Sequence, residues 1–162
     1  MNIEKAITVE INGVECELSA PANETLLDCL RRHGFFEVKS GCEKGDCGAC
    51  AVQINGEPVD ACLTLAWTVV GHSITTLEGL NDTNNPHPLI AAFIEFGAVQ
   101  CGYCTPGIMI AAEALLREKP EPTDEDIAIA LSGNLCRCTG YTKIFAAIKQ
   151  AGDVLRAGGA ND

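Results

Sequence analysis

Apolar and polar residues alternate in two short segments near the start of the chain. Segments 7–11 and 14–18 repeat with a period of two, which predicts β-strands, and Asn12-Gly13 between them favours a hairpin with a type I′ turn. We expect six side chains to share the buried face of this hairpin: Ile7, Val9, Ile11, Val14, Cys16 and Leu18. The segment at about 24–33 then places its leucines on one stripe, which predicts a helix that ends at Gly34.

The pattern in the remainder of the first half predicts a second hairpin and a last strand. The segment 51–54 reads AVQI and is followed by Asn55-Gly56, another pair that favours a hairpin turn. A short helix is predicted at 63–70 and a strand at 73–77. Strands that wrap around one helix make a small α+β domain, which we assign to residues 1–78.

The second half of the chain has the period of an α-helix. Residues 79–88 are rich in Asn, Gly and Pro and predict a linker, and four helices are predicted within 89–162. Thr105-Pro106 favours the start of the second helix, with Thr105 as N-cap, and Thr123 with Asp126 resembles a capping box at the start of the third. Four helices in this order are typical of a small bundle, and we expect the last six residues to fray.

Composition and charge narrow the possible functions. The chain has 162 residues, with 11 basic and 22 acidic side chains and a net charge of −11, which argues against binding nucleic acids or anionic membranes. It has no apolar run of transmembrane length and no recognisable export signal. Ten cysteines in such a chain predict a cytoplasmic protein whose grouped cysteines bind metal rather than form disulfides.

Four cysteines lie in the stretch GCEKGDCGACAVQINGEPVDAC, and their spacing is C-x4-C-x2-C-x11-C. This pattern is typical of plant-type [2Fe–2S] clusters, whose overall charge of roughly −2 requires hydrogen-bond donors around the sulfurs. The glycines of the loop allow backbone N–H groups to turn inward and form an anion nest. A zinc site usually pairs its cysteines as C-x2-C, and a disulfide framework needs an oxidising compartment. The members of this first quartet are Cys42, Cys47, Cys50 and Cys62.

The helical half contains a second quartet with the spacing C-x2-C followed by C-x-C. Each pair precedes a predicted helix, where the helix dipole and free N–H groups stabilise thiolates. Zinc remains an alternative at this site. The members are Cys101, Cys104, Cys136 and Cys138.

These motifs resemble those of the small iron–sulfur subunit of molybdenum hydroxylases, the family of xanthine dehydrogenase, aldehyde oxidoreductase, carbon monoxide dehydrogenase and 4-hydroxybenzoyl-CoA reductase. The resemblance covers about residues 6–150, and its most specific pieces are GCEKGDCGAC, QCGYCTPG and GNLCRCTGY. Cys62 follows the third cysteine after only 11 residues, much sooner than the fourth cysteine of free plant-type ferredoxins, and this favours the hydroxylase family.

The resemblance implies an α+β architecture with an N-terminal β-grasp ferredoxin domain and a C-terminal four-helix bundle, each with one [2Fe–2S] cluster. The first quartet would hold one cluster and the second quartet the other. The implied function is that of an electron-transfer subunit, which relays single electrons between a molybdopterin centre and FAD or an external carrier.

The resemblance also implies partners. These are a large molybdopterin subunit, with the cofactor in its cytosine dinucleotide form, and a medium FAD subunit, in a heterotrimer or a dimer of heterotrimers. Gln100 and Cys138 match positions that contact the pterin. The helical-domain cluster would lie next to molybdenum, and the N-terminal cluster would face the flavin.

The remaining reactive residues have simpler interpretations. We interpret Cys16 and Cys29 as buried structural thiols, Trp67 as a packing residue, and the three histidines, His33, His72 and His87, as ordinary surface residues. No catalytic motif is present, so we expect substrate chemistry to occur on another chain. Two alternatives stay open: a freestanding two-cluster ferredoxin, and a zinc-stapled interaction module without a redox role.

Overall fold

A five-stranded sheet organises the first half of the chain in the computed structural model, which describes residues 4–81 and 86–159. The strand order is β2-β1-β5-β3-β4, and β1 pairs with β5 in parallel while the other pairs are antiparallel. The strands are β1 (Glu4–Ile11), β2 (Val14–Pro21), β3 (Ala51–Ile54), β4 (Glu57–Asp60) and β5 (Ser73–Thr75). Both predicted hairpins and the predicted last strand are therefore confirmed.

The two hairpin turns have the backbone conformation that their sequences predict. Asn12 and Gly13 have φ values of 53° and 80°, and Asn55 and Gly56 have values of 52° and 88°. A type I′ turn requires positive φ at both central residues, which Asn and Gly tolerate best. The turns thus bring β1 against β2 and β3 against β4 in the registers that bury the apolar face.

One residue of the predicted buried face is exposed. Ile7, Val9, Ile11 and Leu18 are buried and Cys16 is partly buried, but 62% of Val14 is accessible to solvent. Val14 begins β2, an edge strand, directly after the turn. It lies on the expected face, opposite Ile11, but beyond the part of the sheet that the core covers.

Helix α1 (Leu26–Arg32) buries its leucines against the sheet, and a short 3₁₀-helix follows at Ala66–Val69. The Thr25 side chain begins α1 by accepting a hydrogen bond from the Asp28 N–H at 3.1 Å. Gly34 ends the helix with a φ of 98°. The predicted helix at 63–70 is thus a single 3₁₀ turn rather than an α-helix.

The second half is helical and has its own apolar core. Helices α3 and α6 pack against each other, and α4 contributes most of the remaining buried surface. The described helices are α2 (Leu77–Leu80), α3 (Pro88–Glu95), α4 (Thr105–Glu118), α5 (Asp124–Ala130) and α6 (Thr142–Gly159). Within residues 4–81 and 86–159, no helix has both the length and the apolar character needed to cross a membrane.

Two details of the helical half differ from the prediction. The short helix α2 covers residues predicted as the end of a strand and the start of a linker. Cys104 rather than Thr105 caps α4, so Thr105 is its first residue. The capping box of α5 is confirmed, because the Thr123 N–H donates to Asp126 Oδ2 at 2.7 Å and the Asp126 N–H donates to Thr123 Oγ1 at 3.2 Å.

The two halves contact each other through β3 and α4. The side chain of Gln53 is buried and donates to the Ile110 carbonyl at 3.2 Å, and Arg117 donates to the Gly56 carbonyl at 2.5 Å. The division into 1–78, 79–88 and 89–162 stays a prediction, and residues 82–85 of the predicted linker lie outside the described residues. Of the tail predicted to fray, residues up to 159 continue α6 and the rest lies outside the described residues.

Candidate metal centres

Three cysteines of the first quartet lie in an irregular loop between α1 and β3, and the fourth, Cys62, follows β4. Glu43, Gly45 and Gly48 have φ values of 56°, 84° and 64°, in the left-handed region that lets a loop turn tightly. Two N–H groups point at sulfur atoms: Cys42 donates to Cys47 Sγ at 3.4 Å, and Asp46 donates to Cys42 Sγ at 3.2 Å. The loop therefore presents backbone donors to the thiol groups, as an anion nest does.

The four thiols of the first quartet form two pairs. Cys42 and Cys47 are half-buried and lie together, while Cys50 and Cys62 are buried and lie together. Burial raises the pKa of Cys50 to about 12, with a further contribution from the Cys62 side chain. In contrast, the Lys44 N–H lowers the pKa of Cys42 to about 7. The outer thiol of Cys42 is thus closer to the thiolate form than the inner thiol of Cys50.

The second quartet has the same arrangement. Cys101 and Cys138 are exposed, with 3.6 Å between their sulfur atoms, and Cys104 and Cys136 form a half-buried inner pair. Cys101 and Cys104 directly precede α4, as predicted, whereas three residues separate Cys138 from α6. The loop before α6, rather than its first turn, therefore positions the second pair.

Burial acts on the pKa values of both inner thiols of the second quartet. It raises the pKa of Cys104 to about 12, with a further contribution from the Cys136 side chain. Burial acts in the same direction on Cys136 and is the largest single influence there, but hydrogen bonds from the Thr139 hydroxyl at 3.1 Å, from the N–H groups of Thr139 and Cys138 and from the Cys104 side chain together outweigh it and lower the pKa of Cys136. Since a metal binds the thiolate form, occupation of the buried thiols would release protons.

The donor sets fit a two-iron cluster. A zinc ion needs its four ligands to converge on one point. Among the described residues, no three Cys, His, Asp or Glu side chains come together in a way that could hold one metal ion. Each quartet instead consists of two cysteine pairs, which suits a [2Fe–2S] unit because four cysteines serve two irons. The two-pair arrangement is the one expected of ligands to a [2Fe–2S] cluster.

Gln100 and Cys138, the two predicted pterin contacts, are both exposed and belong to the surface around the second quartet. Val99, directly before Gln100, and Leu135, directly before Cys136, are also exposed, by 40% and 58%. The contact of Gln100 and Cys138 with a pterin stays a prediction.

The remaining sequence interpretations have mixed outcomes. Trp67 packs against the core and donates from Nε1 to the Ala20 carbonyl at 2.8 Å, as expected of a packing residue. Cys29 is buried, and burial raises its pKa to about 11, which confirms a structural thiol. His33 and His87 have structural roles rather than ordinary surface positions: His33 Nε2 accepts from the Ser19 N–H at 3.3 Å, and His87 Nδ1 accepts from the Leu89 N–H at 3.2 Å.

A set of contacts between the two cysteine loops was not apparent in the sequence. The Leu135 N–H donates to the Cys47 carbonyl at 2.9 Å, and the buried Asn134 side chain donates to the Gly48 carbonyl at 3.2 Å. Gly48 also lies against Gly107 of α4. A Cβ added to Gly107 would be 2.0 Å from the carbonyl oxygen of Gly48. These contacts join residues far apart in the chain, so only the tertiary structure reveals them.

Comparison with known proteins gives one match for each half of the chain. A domain family described as "2Fe-2S iron-sulfur cluster binding domain" matches residues 9–69, and one described as "[2Fe-2S] binding domain" matches residues 76–149. Each match contains one of the two cysteine quartets.

Similar proteins extend over nearly the whole chain. The nicotinate dehydrogenase small FeS subunit of Eubacterium barkeri is 50% identical over 146 residues, which are 90% of this chain and 93% of that protein. The xanthine dehydrogenase iron-sulfur-binding subunit of Escherichia coli is 45% identical over 149 residues, or 89% of this chain and 93% of that one.

Solved structures agree with these relatives. A chain of quinoline 2-oxidoreductase from Pseudomonas putida superposes with a TM-score of 0.91 at 39% identity, covering 96% of this chain and 98% of that chain. The aldehyde oxidoreductase of Desulfovibrio desulfuricans has a TM-score of 0.90 at 41% identity. The match covers 94% of this chain but 17% of that one, so the present fold corresponds to one part of a longer protein there.

Proposed function

The chain belongs to the family of small iron–sulfur subunits of molybdenum hydroxylases, and from that premise we propose how it passes electrons between partner subunits. It is the electron-transfer subunit of a multi-subunit oxidoreductase, with two [2Fe–2S] clusters. In our proposal it relays single electrons between a molybdopterin centre and FAD or an external carrier. The observation that carries this proposal is the pair of cysteine quartets, which meet through a hydrogen bond between their loops.

We assign all eight cysteines of the quartets as ligands. The first cluster is bound by Cys42, Cys47, Cys50 and Cys62, and the second by Cys101, Cys104, Cys136 and Cys138. The division of each quartet into an inner and an outer pair supports this assignment, because each iron of a cluster takes two thiolates. The first cluster then belongs to a β-grasp domain (1–78) and the second to a four-helix bundle (89–162), joined by the linker 79–88.

The partners follow from the family. We propose a large subunit with molybdopterin, as the cytosine dinucleotide, and a medium subunit with FAD, in a heterotrimer or a dimer of heterotrimers in the cytoplasm. The relatives named nicotinate dehydrogenase, xanthine dehydrogenase and quinoline 2-oxidoreductase support an oxidoreductase complex. The sequence of this chain has no catalytic motif, so the substrate would react on the large subunit.

The exposure of the thiols supports the order that we propose for the relay. Cys101 and Cys138 are the exposed pair, next to the exposed Gln100, so we place the molybdenum subunit on this side. Electrons then move inward to Cys104 and Cys136, and across the hydrogen bond between the loops to the first quartet. The exposed loop residues around Cys42 face the flavin subunit in this arrangement.

Metal analysis of two variants tests the function. The purified chain, reconstituted without oxygen, should hold two [2Fe–2S] units with equal iron and sulfide. Cys47→Ser should lose the first cluster and about half of both elements, whereas Cys16→Ser, which removes a thiol outside the quartets, should keep all of them. Zinc without sulfide would exclude the redox function, and a chain that never associates with larger subunits would indicate a freestanding ferredoxin.

A further inference from the structure

Tyr141 has a backbone conformation that bulky residues rarely adopt. Its φ is 66°, in the left-handed region, and it lies directly before α6. Such a conformation persists only where the surrounding structure imposes it, and it often accompanies a functional contact. At Tyr141 that contact is made by the side-chain hydroxyl, which lies against the loop of the second quartet.

The hydroxyl of Tyr141 binds the backbone on both sides of Leu135. It accepts a hydrogen bond from the Cys136 N–H at 2.7 Å and donates one to the Asn134 carbonyl at 2.9 Å. The two contacts hold the peptide groups before and after Leu135. Since the phenol uses its only proton in the second bond, its orientation is defined by this segment.

The peptide group between Asn134 and Leu135 also forms the link to the first quartet. The Asn134 carbonyl and the Leu135 N–H belong to one peptide, and the N–H donates to the Cys47 carbonyl at 2.9 Å. Tyr141 and Cys47 therefore hold this peptide from opposite sides. A hydrogen bond to a peptide carbonyl polarises the group and strengthens its N–H as a donor.

The Asn134 side chain adds a second attachment. It is buried and donates from Nδ2 to the Gly48 carbonyl at 3.2 Å, one residue after Cys47. The segment 134–136 is thus fixed to the first loop by one backbone and one side-chain hydrogen bond, and to Tyr141 by two more.

We propose that Tyr141 and Asn134 are positioning residues for electron transfer between the two quartets, because they hold the Leu135 N–H against the Cys47 carbonyl. This inference rests on the proposed function. The route runs along covalent bonds from Cys47 to its carbonyl, across one hydrogen bond, and along the backbone to Cys136. One electron passes in each step, so that one quartet's cluster is oxidised and the other reduced, and no bond or proton is exchanged.

The variant Tyr141→Phe tests the inference in the full chain with both clusters. This variant removes both hydroxyl contacts and keeps the aromatic ring. Tyr103→Phe is the matched control, because the Tyr103 hydroxyl also joins the two halves of the chain by donating to the Ser40 carbonyl. Three quantities are measured: iron and sulfide content, the reduction potentials of both clusters, and the transfer rate after substoichiometric reduction, followed by rapid-freeze EPR.

We expect Tyr141→Phe to keep both clusters and their potentials but to slow transfer between them about tenfold, a factor that corresponds to about 1.4 kcal/mol. The magnetic coupling between the two reduced clusters should weaken in parallel, and the Tyr103→Phe control should change neither quantity. A merely structural role would lower cluster content without a specific loss of rate.

Other outcomes are also decisive. A wild-type rate in Tyr141→Phe with both clusters present overturns the inference and leaves the proposed function intact. If Tyr141→Phe does not assemble, Asn134→Ala is measured in the same way, and an unchanged rate in that variant overturns the inference. A wild-type chain that binds no clusters contradicts the proposed function instead.

Discussion

Gly107 lies in the first turn of α4, where the helix approaches the loop of the first quartet more closely than a side chain allows. A Cβ at this position would lie 2.0 Å from the Gly48 carbonyl oxygen and 3.4 Å from the Ala49 Cα. A carbon–oxygen contact of this kind needs roughly 3.3 Å. Gly107→Ala should therefore force the helix and the loop apart by about 1 Å.

The change in the free energy of unfolding of Gly107→Ala can be estimated from two opposing effects. Overpacking a well-packed site costs roughly 1–3 kcal/mol, and here the obstacle is a backbone carbonyl, which cannot turn away as a flexible side chain does. Alanine recovers about 0.8–1.0 kcal/mol in a helix interior because it is the better helix former. We expect a net loss of up to about 2 kcal/mol, hence a midpoint of thermal unfolding that is lower by up to roughly 8 °C for a chain of this size.

Circular dichroism of the cluster-bound chain measures this midpoint, with iron retention recorded in parallel. Gly158→Ala is the matched control, because Gly158 lies on α6 with no atom within 4 Å of its added Cβ. The control should unfold at or slightly above the wild-type temperature. If Gly107→Ala is as stable as Gly158→Ala, the close approach of α4 to Gly48 does not exist in the folded chain.

Two further outcomes are expected. In the assembled complex, Gln100→Ala should slow the arrival of electrons at the second quartet's cluster while both clusters stay assembled, because Gln100 is exposed directly before that quartet. Rapid-freeze EPR measures this rate, and Gln150→Ala is the control. An unchanged rate would make Gln100 an ordinary surface residue. Lys119 and the contacts from Thr123 hold the pKa of Asp126 at about 2. The Asp126 carboxylate therefore stabilises the fold at pH values above the ordinary carboxyl pKa of ~3.9, and this contribution disappears as the pH falls to about 2. Asp126→Asn should therefore lower the unfolding midpoint at pH 7 but not near pH 2, and an equal loss at both pH values would contradict this linkage.

Local chemistry made much of this fold predictable. Asn12-Gly13 and Asn55-Gly56 specify type I′ turns because both central residues need positive φ, and each turn sets the register of its hairpin. Thr123 with Asp126 specifies the start of α5 in the same way. The cysteine spacings likewise pointed to two metal centres, because ligands close together in the chain constrain the geometry of a site.

Tertiary context decided what the sequence pattern could not. Val14 follows the alternation of its strand, but its position at the end of an edge strand leaves it exposed. The link between Cys47 and Leu135 joins residues far apart in the chain, and neither has a side chain that suggests the contact. Tyr141 resembles an ordinary helix-start residue in the sequence, and only its φ of 66° reveals the constraint.

The two halves of the chain fold around separate apolar cores, yet their cysteine loops meet through backbone groups. A contact between a carbonyl of Cys47 and an N–H of Leu135 depends on the path of each loop rather than on the identity of exposed side chains. Metal bound to one quartet would restrain that path, and the hydrogen bond would then favour order in the other loop. Gly107 and the buried Asn134 also keep the two halves together. Gly107 permits the close approach of α4 to the Gly48 carbonyl, and the Asn134 side chain donates a hydrogen bond to that carbonyl. The separation of the two centres is therefore built into the backbone, as a relay that must pass electrons between two fixed sites requires.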